Sequence, residues 1–451
     1  MVPFMGSFKP VMGSSKSHKL IKLILLLLII TSCNKTDDIT VDPIVDLPPR
    51  LPKVHINTQG GFEFKDEDKG TYINSTIRIE DLDNIYTTDT ELILDGEIKG
   101  RGNSTWWGVP KRPYRIKLES KKQLLGMSNE RNWALLANYF DKSLLRNTVA
   151  FEISRIADMS WTPKLVSVDY YMNGTYRGVY TLTEHVRVSD ERLDLDLVTE
   201  NDNSGEALTG DYFLELDFHY DELFKFKTEM KELPIMFKDP EEPTPNQFEY
   251  VENFFNTTES VLYSANYQDP EEGYRKYIDV ESFINYYIIH EVSKNVDGNF
   301  RGSCHMALRR NGKIELPMVW DFDIAFGNAD HLTWEQGASS NGPEGWYIKT
   351  QSPWFDRFFE DETFVSELKV RWNELKPQLD GIPQFIRDEA FALKVSQALN
   401  FSPKPQGAGW DIRQKHWNTE RVPGSYEKEV DFLVEFVEKR LEWLDDNINE
   451  L

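Results

Sequence analysis

The sequence predicts an α+β protein of two lobes, a β-rich one over about 51–190 and a mainly helical one over about 210–451. Two patterns and one quantity point there. Short runs with period-two alternation, punctuated by Gly, Asn and Asp, dominate up to about residue 190. Apolar residues at helical spacing dominate the last hundred residues. Hydrophobic residues make up 40% and aromatics 13% of the 451 residues, ample for a large core.

The elements follow in order. Val54-His55-Ile56-Asn57, Ile77-Arg78-Ile79 and Tyr114-Arg115-Ile116-Lys117-Leu118 alternate as strands. Asp141 is placed to cap a helix running to about Ala157, with Leu145, Val149, Ile153 and Ile156 on one stripe. Asn173-Gly174 joins strands over 165–172 and 176–183, because this pair readily takes the left-handed backbone of a tight hairpin. Residues 200–275 read as an acidic, Pro-punctuated insertion with one strand over 212–216. Asp279 caps a helix to about Ser293, which ends in the loop Lys294-Asn295-Val296-Asp297-Gly298-Asn299. Strands over 304–309 and 313–319 turn at Asn311-Gly312 and lead into Trp320-Asp321-Phe322-Asp323. Helices are expected over about 354–377, 384–398 and 426–448, the last with Leu433, Val437, Leu441 and Leu444 on one face. No internal repeat divides the chain.

The chain carries 51 basic and 75 acidic side chains, a formal charge of −24, and its first 32 residues hold four lysines and no acid. So acidic a surface repels phosphate backbones and argues against nucleic acid as a partner. Two cysteines, Cys33 and Cys304, exclude a disulfide framework and a Cys-built zinc site. The apolar run from Leu20 to Ile30, interrupted only by Lys22, is too short for a folded anchor and fits a signal-peptide core over 1–32. Ile30-Thr31-Ser32-Cys33 resembles a bacterial lipobox, whose cysteine is lipidated and becomes the new N-terminus. Cys33 to Asp38 further resembles the export tags of some surface lipoproteins. Residues 33–50, rich in Asp and Pro, then read as a tether holding a 51–451 domain off the membrane. The expected location is the bacterial envelope, on the outer membrane and facing the cell surface.

Two regions have the residue types for chemistry. The hairpin at Asn311-Gly312 brings its ends together, so Asp297 and Asp321 converge although they are 24 positions apart. Converging acids suit divalent-metal and phosphate chemistry, one accepting a hydroxyl proton and the other holding Mg²⁺. The alternative is a turn-capping Asp297 with Asp321 and Asp323 as solvated strand-end acids. Earlier in the chain, Gly100-Arg101-Gly102-Asn103-Ser104 makes a Gly-rich turn whose backbone can approach an anion. Lys117 follows on an alternating strand amid Lys111, Arg112 and Arg115, and could bind phosphates there or simply belong to a solvated basic face. Glu152, on the next helix, is the candidate ion-pair partner of Lys117, or one more exposed helix acid.

These segments resemble one family. Lys99-Gly100-Arg101-Gly102-Asn103-Ser104-Thr105-Trp106 and Pro110-Lys111-Arg112-Pro113-Tyr114-Arg115-Ile116-Lys117-Leu118 are similar to the opening signature of the spore-coat-protein-H-like (CotH) atypical secreted protein kinases. The likeness continues through Asp141-Lys142-Ser143-Leu144-Leu145-Arg146-Asn147, Asn173-Gly174-Thr175-Tyr176-Arg177-Gly178, Lys294-Asn295-Val296-Asp297-Gly298 and Trp320-Asp321-Phe322-Asp323, covering about 95–330. It implies a divergent two-lobed protein-kinase-like fold using ATP with Mg²⁺ or Mn²⁺. It makes Lys117 the nucleotide-binding lysine, Asp297 the catalytic aspartate and Asp321 a metal ligand assisted by Asp323. Arg101, Asn103 and Ser104 would lie near nucleotide, and Glu184, ending a hydrophobic strand, would sit at a hinge where backbone groups meet adenine. The sequence lacks the His-Arg-Asp and Asp-Phe-Gly triplets and the GxGxxG loop of ordinary kinases.

The leading expectation is therefore an anchored kinase phosphorylating Ser or Thr of extracytoplasmic proteins. A second is a non-catalytic surface scaffold or adhesin on the same fold, with Trp106, Trp107, Trp334, Trp346 and Trp354 as binding platforms. A third is a metallohydrolase or glycan-processing enzyme recruiting Asp297, Asp321 and Asp323 with His290, His305 or His331. The third lacks an HExxH helix and has a basic cluster over 99–122 better suited to phosphate than to sugar.

Overall fold

A computed structural model describes residues 48–330 and 342–451. Cys33, the tether up to Leu47, His331 and Trp334 lie outside the described residues. The alternating segments form β1 (Lys53–Thr58), β2 (Ile73–Glu80), β3 (Glu91–Gly100), β4 (Tyr114–Gln123) and β5 (Asn129–Leu136). Helix α1 (Arg146–Ile156) follows, then β6 (Leu165–Met172) and β7 (Thr175–Glu184). These strands close into a barrel in the order β1-β2-β3-β4-β5-β7-β6. The seam is the parallel β1–β6 pair, with Lys53 opposite Asp169 and Ile56 opposite Met172. Strand alternation sends Val54, Ile56, Ile77, Ile98, Ile116, Trp133, Val168 and Tyr170 inward, all essentially unexposed. Closure removes both sheet edges. The β-rich first part is thus a barrel, where the resemblance implied a kinase-like lobe.

The second part corrects a sequence expectation. Residues 200–275 are not an insertion with a single strand. They supply β8 (Tyr212–Leu216), β9 (Lys225–Lys227), β10 (Pro234–Asp239) and helix α2 (Pro245–Leu262). The three strands join β11 (Cys304–Leu308) and β12 (Ile314–Glu315) in a five-stranded sheet ordered β12-β11-β8-β10-β9. Thr244 and Gln247 cap α2 reciprocally, a signal masked by the surrounding acids and prolines. Helix α3 (Val280–Ser293) begins where expected, with Asp279 accepting from the Ser282 N–H at 2.9 Å.

Helices α4 (Glu362–Leu379), α5 (Ile382–Ala392), α6 (Lys394–Phe401) and α7 (Tyr426–Asn449) complete the fold. The helix expected from 354 is split: Trp354, at φ +69°, precedes a single turn over Phe355–Phe358, and the long helix starts at Glu362 behind its capping residue Asp361. Asp141 does not cap α1 directly. The helix starts at Arg146, and Asp141 reaches forward to accept from the Arg146 N–H at 2.8 Å. No helix of the described residues is long and apolar enough to cross a membrane.

Candidate active site

A cavity of about 850 Å³ is roofed by the barrel and floored by the five-stranded sheet and its loops. The Gly100–Gly102 turn leaves β3 at its rim. Gly102 has φ +80°, and a Cβ there would meet Thr105 Oγ1, so only glycine fits the turn. The turn directs Arg101 into the cavity, where its guanidinium lies over the Trp320 ring at 5.7 Å. Burial pulls the Arg101 pKa down while Asp321 and Asp323 push it back up. Asn103 and Ser104 line the same rim, and Asn103 Oδ1 accepts from Lys69 Nζ at 2.8 Å.

Three acids converge from the floor. The left-handed Lys294 (φ 44°) ends α3 and starts the loop to Asp297, whose carbonyl accepts from the Arg301 and Gly302 N–H groups at 3.2 Å each. Asp321 stands at φ +64°, a costly backbone state for aspartate. It is held by its neighbours. Asn295 Nδ2 donates to the Asp321 carbonyl at 3.0 Å, and the Phe322 N–H donates to Asn147 Oδ1 at 2.9 Å. Asn328 Nδ2 donates to the Asp323 carbonyl at 2.7 Å, and Arg146 Nε to the Ala325 carbonyl at 3.0 Å. The first turn of α1 therefore fixes the Asp321–Asp323 loop.

Burial and then the neighbouring Asp321 raise the Asp297 carboxyl to about 7. Burial also raises Asp321, opposed by Arg101 and reinforced by Asp217 and Glu215. Asp323 goes up through burial, Asp321 and Asp297. Such mutual repulsion is what a divalent cation relieves. Among the described residues no group of three or more His, Cys, Asp or Glu is arranged to hold a metal by itself. The donor set still fits Mg²⁺, which typically takes one or two carboxylates and fills its remaining positions with water and substrate phosphate oxygens.

Other expected residues fall elsewhere. Lys117 lies outside the cavity lining, partly exposed, with Nζ 3.9 Å from Glu97 and 5.7 Å from the Tyr72 ring. Arg115, two positions earlier on the same face of β4, lines the cavity instead and donates to Asn132 Oδ1 at 3.1 Å. Glu152 is not the partner of Lys117; it pairs with Arg155 on its own helix. The side chain of Glu184 is buried and accepts from the Ser128 and Lys164 N–H groups at 2.8 and 2.9 Å. Its own N–H donates to the Lys164 carbonyl, so it is a structural tie rather than an adenine contact. The next three residues, His185, Val186 and Arg187, face the cavity.

The platform reading loses Trp106 and Trp354, both fully buried, and Trp346 packs on Trp443. Trp107 remains exposed. His290 is buried against Phe322 and is not part of the cavity lining, whereas His305, buried against Phe213, lines the cavity. Sequence reasoning missed Asp217 and His219, which follow β8 and line the cavity beside Asp297. The Asp-x-His spacing at a strand exit was their only signal. It also missed Trp417, which reaches the cavity from the α6–α7 connection.

A family model described as CotH kinase protein matches residues 98–444. No curated protein gives a match. The matched stretch runs from the end of β3 to the last turns of α7 and holds Arg101, Asp297, Asp321 and Asp323 together, well over half of the chain. The chain belongs to the CotH kinase protein family.

Proposed function

We propose that the protein is an atypical kinase that transfers the γ-phosphoryl group of ATP to Ser or Thr hydroxyls of extracytoplasmic proteins, anchored to the bacterial envelope through a lipid on Cys33. One observation carries the catalytic part: Asp297, raised to about 7, faces Asp321 and Asp323 in a cavity whose roof contributes Arg101 and Arg115. A base poised near neutrality is matched to taking a hydroxyl proton at physiological pH. Asp321 and Asp323 would hold Mg²⁺ or Mn²⁺, which supplies charge neutralisation between phosphate oxygens when bound. Arg101 and Arg115 orient the phosphates from above. As the acceptor oxygen bonds to the γ-phosphorus, the bond to the β–γ bridging oxygen breaks, ADP leaves, and Asp297 keeps the hydroxyl proton. His185, Val186, Phe213, Met236 and Phe237 give the cavity partly apolar walls that suit a nucleobase. The anchor rests on the lipobox-like Ile30–Cys33 run and the tether that follows.

The test is transfer of label from γ-labelled ATP with Mg²⁺ or Mn²⁺ to the protein itself and to acidic and basic acceptor proteins. Wild type is expected to transfer label, Asp297→Asn to bind nucleotide without transfer, and Asp321→Ala to lose metal-dependent nucleotide binding. Equal labelling by Asp297→Asn and wild type would remove Asp297 from the role of base. Absence of both labelling and nucleotide-induced thermal stabilisation would favour the scaffold reading.

A further inference from the structure

We propose that Asp217 and His219 form a carboxylate–imidazole pair whose His219 Nε2 donates a hydrogen bond to the transferring phosphoryl group, making His219 a further catalytic residue. The inference rests on the phosphoryl-transfer reading of the cavity.

The pair is built by strand topology. β8 runs antiparallel to β11, with Leu216 opposite Cys304, so the exit of β8 meets the end of the loop that carries Asp297. The Phe218 N–H donates to the Arg301 carbonyl at 2.9 Å. The Asp217 and Phe218 side chains pack so closely on Gly302 that a Cβ there would lie 3.1 Å from Asp217 Oδ2.

Both Asp217 oxygens are committed. Oδ2 accepts from the Ser303 N–H at 2.9 Å, and Oδ1 takes the His219 N–H at 2.8 Å and His219 Nδ1 at 2.7 Å. A carboxylate oxygen accepts, so the contact places a proton on Nδ1, and donation from Nε2 is made by the doubly protonated ring. Nε2 then lies on the opposite side of a ring that lines the cavity. The ring packs on Phe218 with centroids 4.1 Å apart, and the Arg301 guanidinium lies over Phe218 at 5.2 Å. This stack holds the imidazole in place.

Charge decides what Nε2 meets. His219 lies near enough to Asp297 and Asp321 for their charges to act on one another. The barrel offers Arg101 and Arg115 to a phosphate from above, while on the floor Arg301 and His219 stand among the carboxylates of Asp297, Asp321, Asp217 and Glu215. During transfer, negative charge spreads over the oxygens of the γ-phosphoryl group. A preorganised donor on the floor stabilises that charge where acids would otherwise repel it. His219 gives up no proton: the hydroxyl proton goes to Asp297 and ADP leaves as above.

The experiment measures steady-state transfer and nucleotide affinity of the full chain with Mg²⁺ for wild type, His219→Ala, His219→Gln and Asp217→Asn. His219→Ala is expected to lower kcat roughly 100-fold, the usual effect of deleting one such donor. Its ADP affinity should stay unchanged, because ADP lacks the γ group. His219→Gln, which keeps a donor at a similar reach, should recover about tenfold of the loss. A purely structural role would not separate these readouts. A kcat within threefold of wild type in His219→Ala, with Asp297→Asn inactive, would overturn the inference and leave the kinase reading standing. If His219→Ala loses its thermal transition, unchanged kcat in both His219→Gln and Asp217→Asn overturns it equally. A wild-type protein that transfers no phosphoryl group overturns the reading of the cavity and this inference with it.

Discussion

Replacing Arg146 by Met should destabilise the protein through a buried charge cluster that also supports the Asp321–Asp323 loop. Arg146 is fully buried, with Nη1 2.5 Å from Asp141 and 2.9 Å from Glu429, which are themselves 1% and 0% exposed. Burial alone would push the Glu429 carboxyl up, yet Arg146 and Arg421 outweigh it and hold the group below its usual range. Removing one partner of a buried pair leaves uncompensated charge and costs about 3–5 kcal/mol. Arg421 still reaches Glu429 at 2.5 and 2.8 Å, and Asp141 keeps the Ser143 and Arg146 N–H groups, so the lower end applies. With an unfolding entropy of roughly 2.1 cal/mol/K per residue over about 400 residues, about 3 kcal/mol lowers Tm by roughly 3–4 °C. Differential scanning calorimetry of wild type, Arg146→Met, Glu429→Gln and the double variant gives the coupling. The double variant should lose less than the sum of the singles, because each removes the other's orphaned charge. Additive losses, or a Tm change below about 1 °C for Arg146→Met, would refute the view that this cluster is a coupled, stabilising unit.

Gly298→Ala should cripple the Asp297 loop, since a Cβ there would collide with the buried His290 ring at Nδ1; circular dichroism and transfer assays would register a loss of activity larger than the loss of Tm. Asp297→Asn should raise Tm in metal-free buffer at pH 8. The folded pKa of about 7 lies above the ordinary value of 3.8, so ionising Asp297 costs stability that is fully present only below about 4 and lost as pH rises through 7; the gain should vanish at pH 4. His290 has the opposite sign: burial lowers it from 6.5 to about 3, so its contribution is present above 6.5 and lost as pH falls toward 3. His290→Phe should therefore flatten the acid limb of a pH–Tm curve. Arg115→Ala should weaken nucleotide binding about tenfold or more, as expected for a lost charge-assisted contact, and Lys117→Ala much less; calorimetric titration with ATP and Mg²⁺ would rank them.

What could be read beforehand depended on how local the determining physics was. The Asn173-Gly174 turn was legible because both residues take positive φ, 50° and 76°, and the two-residue turn fixes its hairpin by itself. Asp297 and Asp321 were legible as a pair because a short hairpin must return near its start. Lys117 and Arg115 share one face of β4, and alternation names the face without saying which position lies over the floor. The partner of Glu152 could not be read either, because an i,i+3 arginine on the same helix competes with any distant lysine. β9 and β10 escaped because short strands among prolines and acids gain their stability from sheet neighbours, β10 from β8 and β9 from β10, which only the folded sheet supplies. Asp217 and His219 were hidden with them.

The parallel seam of the barrel orders events as the chain emerges to fold. β1 can pair with β2 once both are out, and the meander through β5 can grow strand by strand. Its other partner, β6, is more than a hundred residues downstream of it, past the whole of α1. Until Leu165–Met172 has emerged, one side of β1 offers open backbone groups to any passing strand, its own chain's or another's. The nascent protein is most exposed to mispairing in that interval, and the closing of a long loop sets the pace at which the barrel seals.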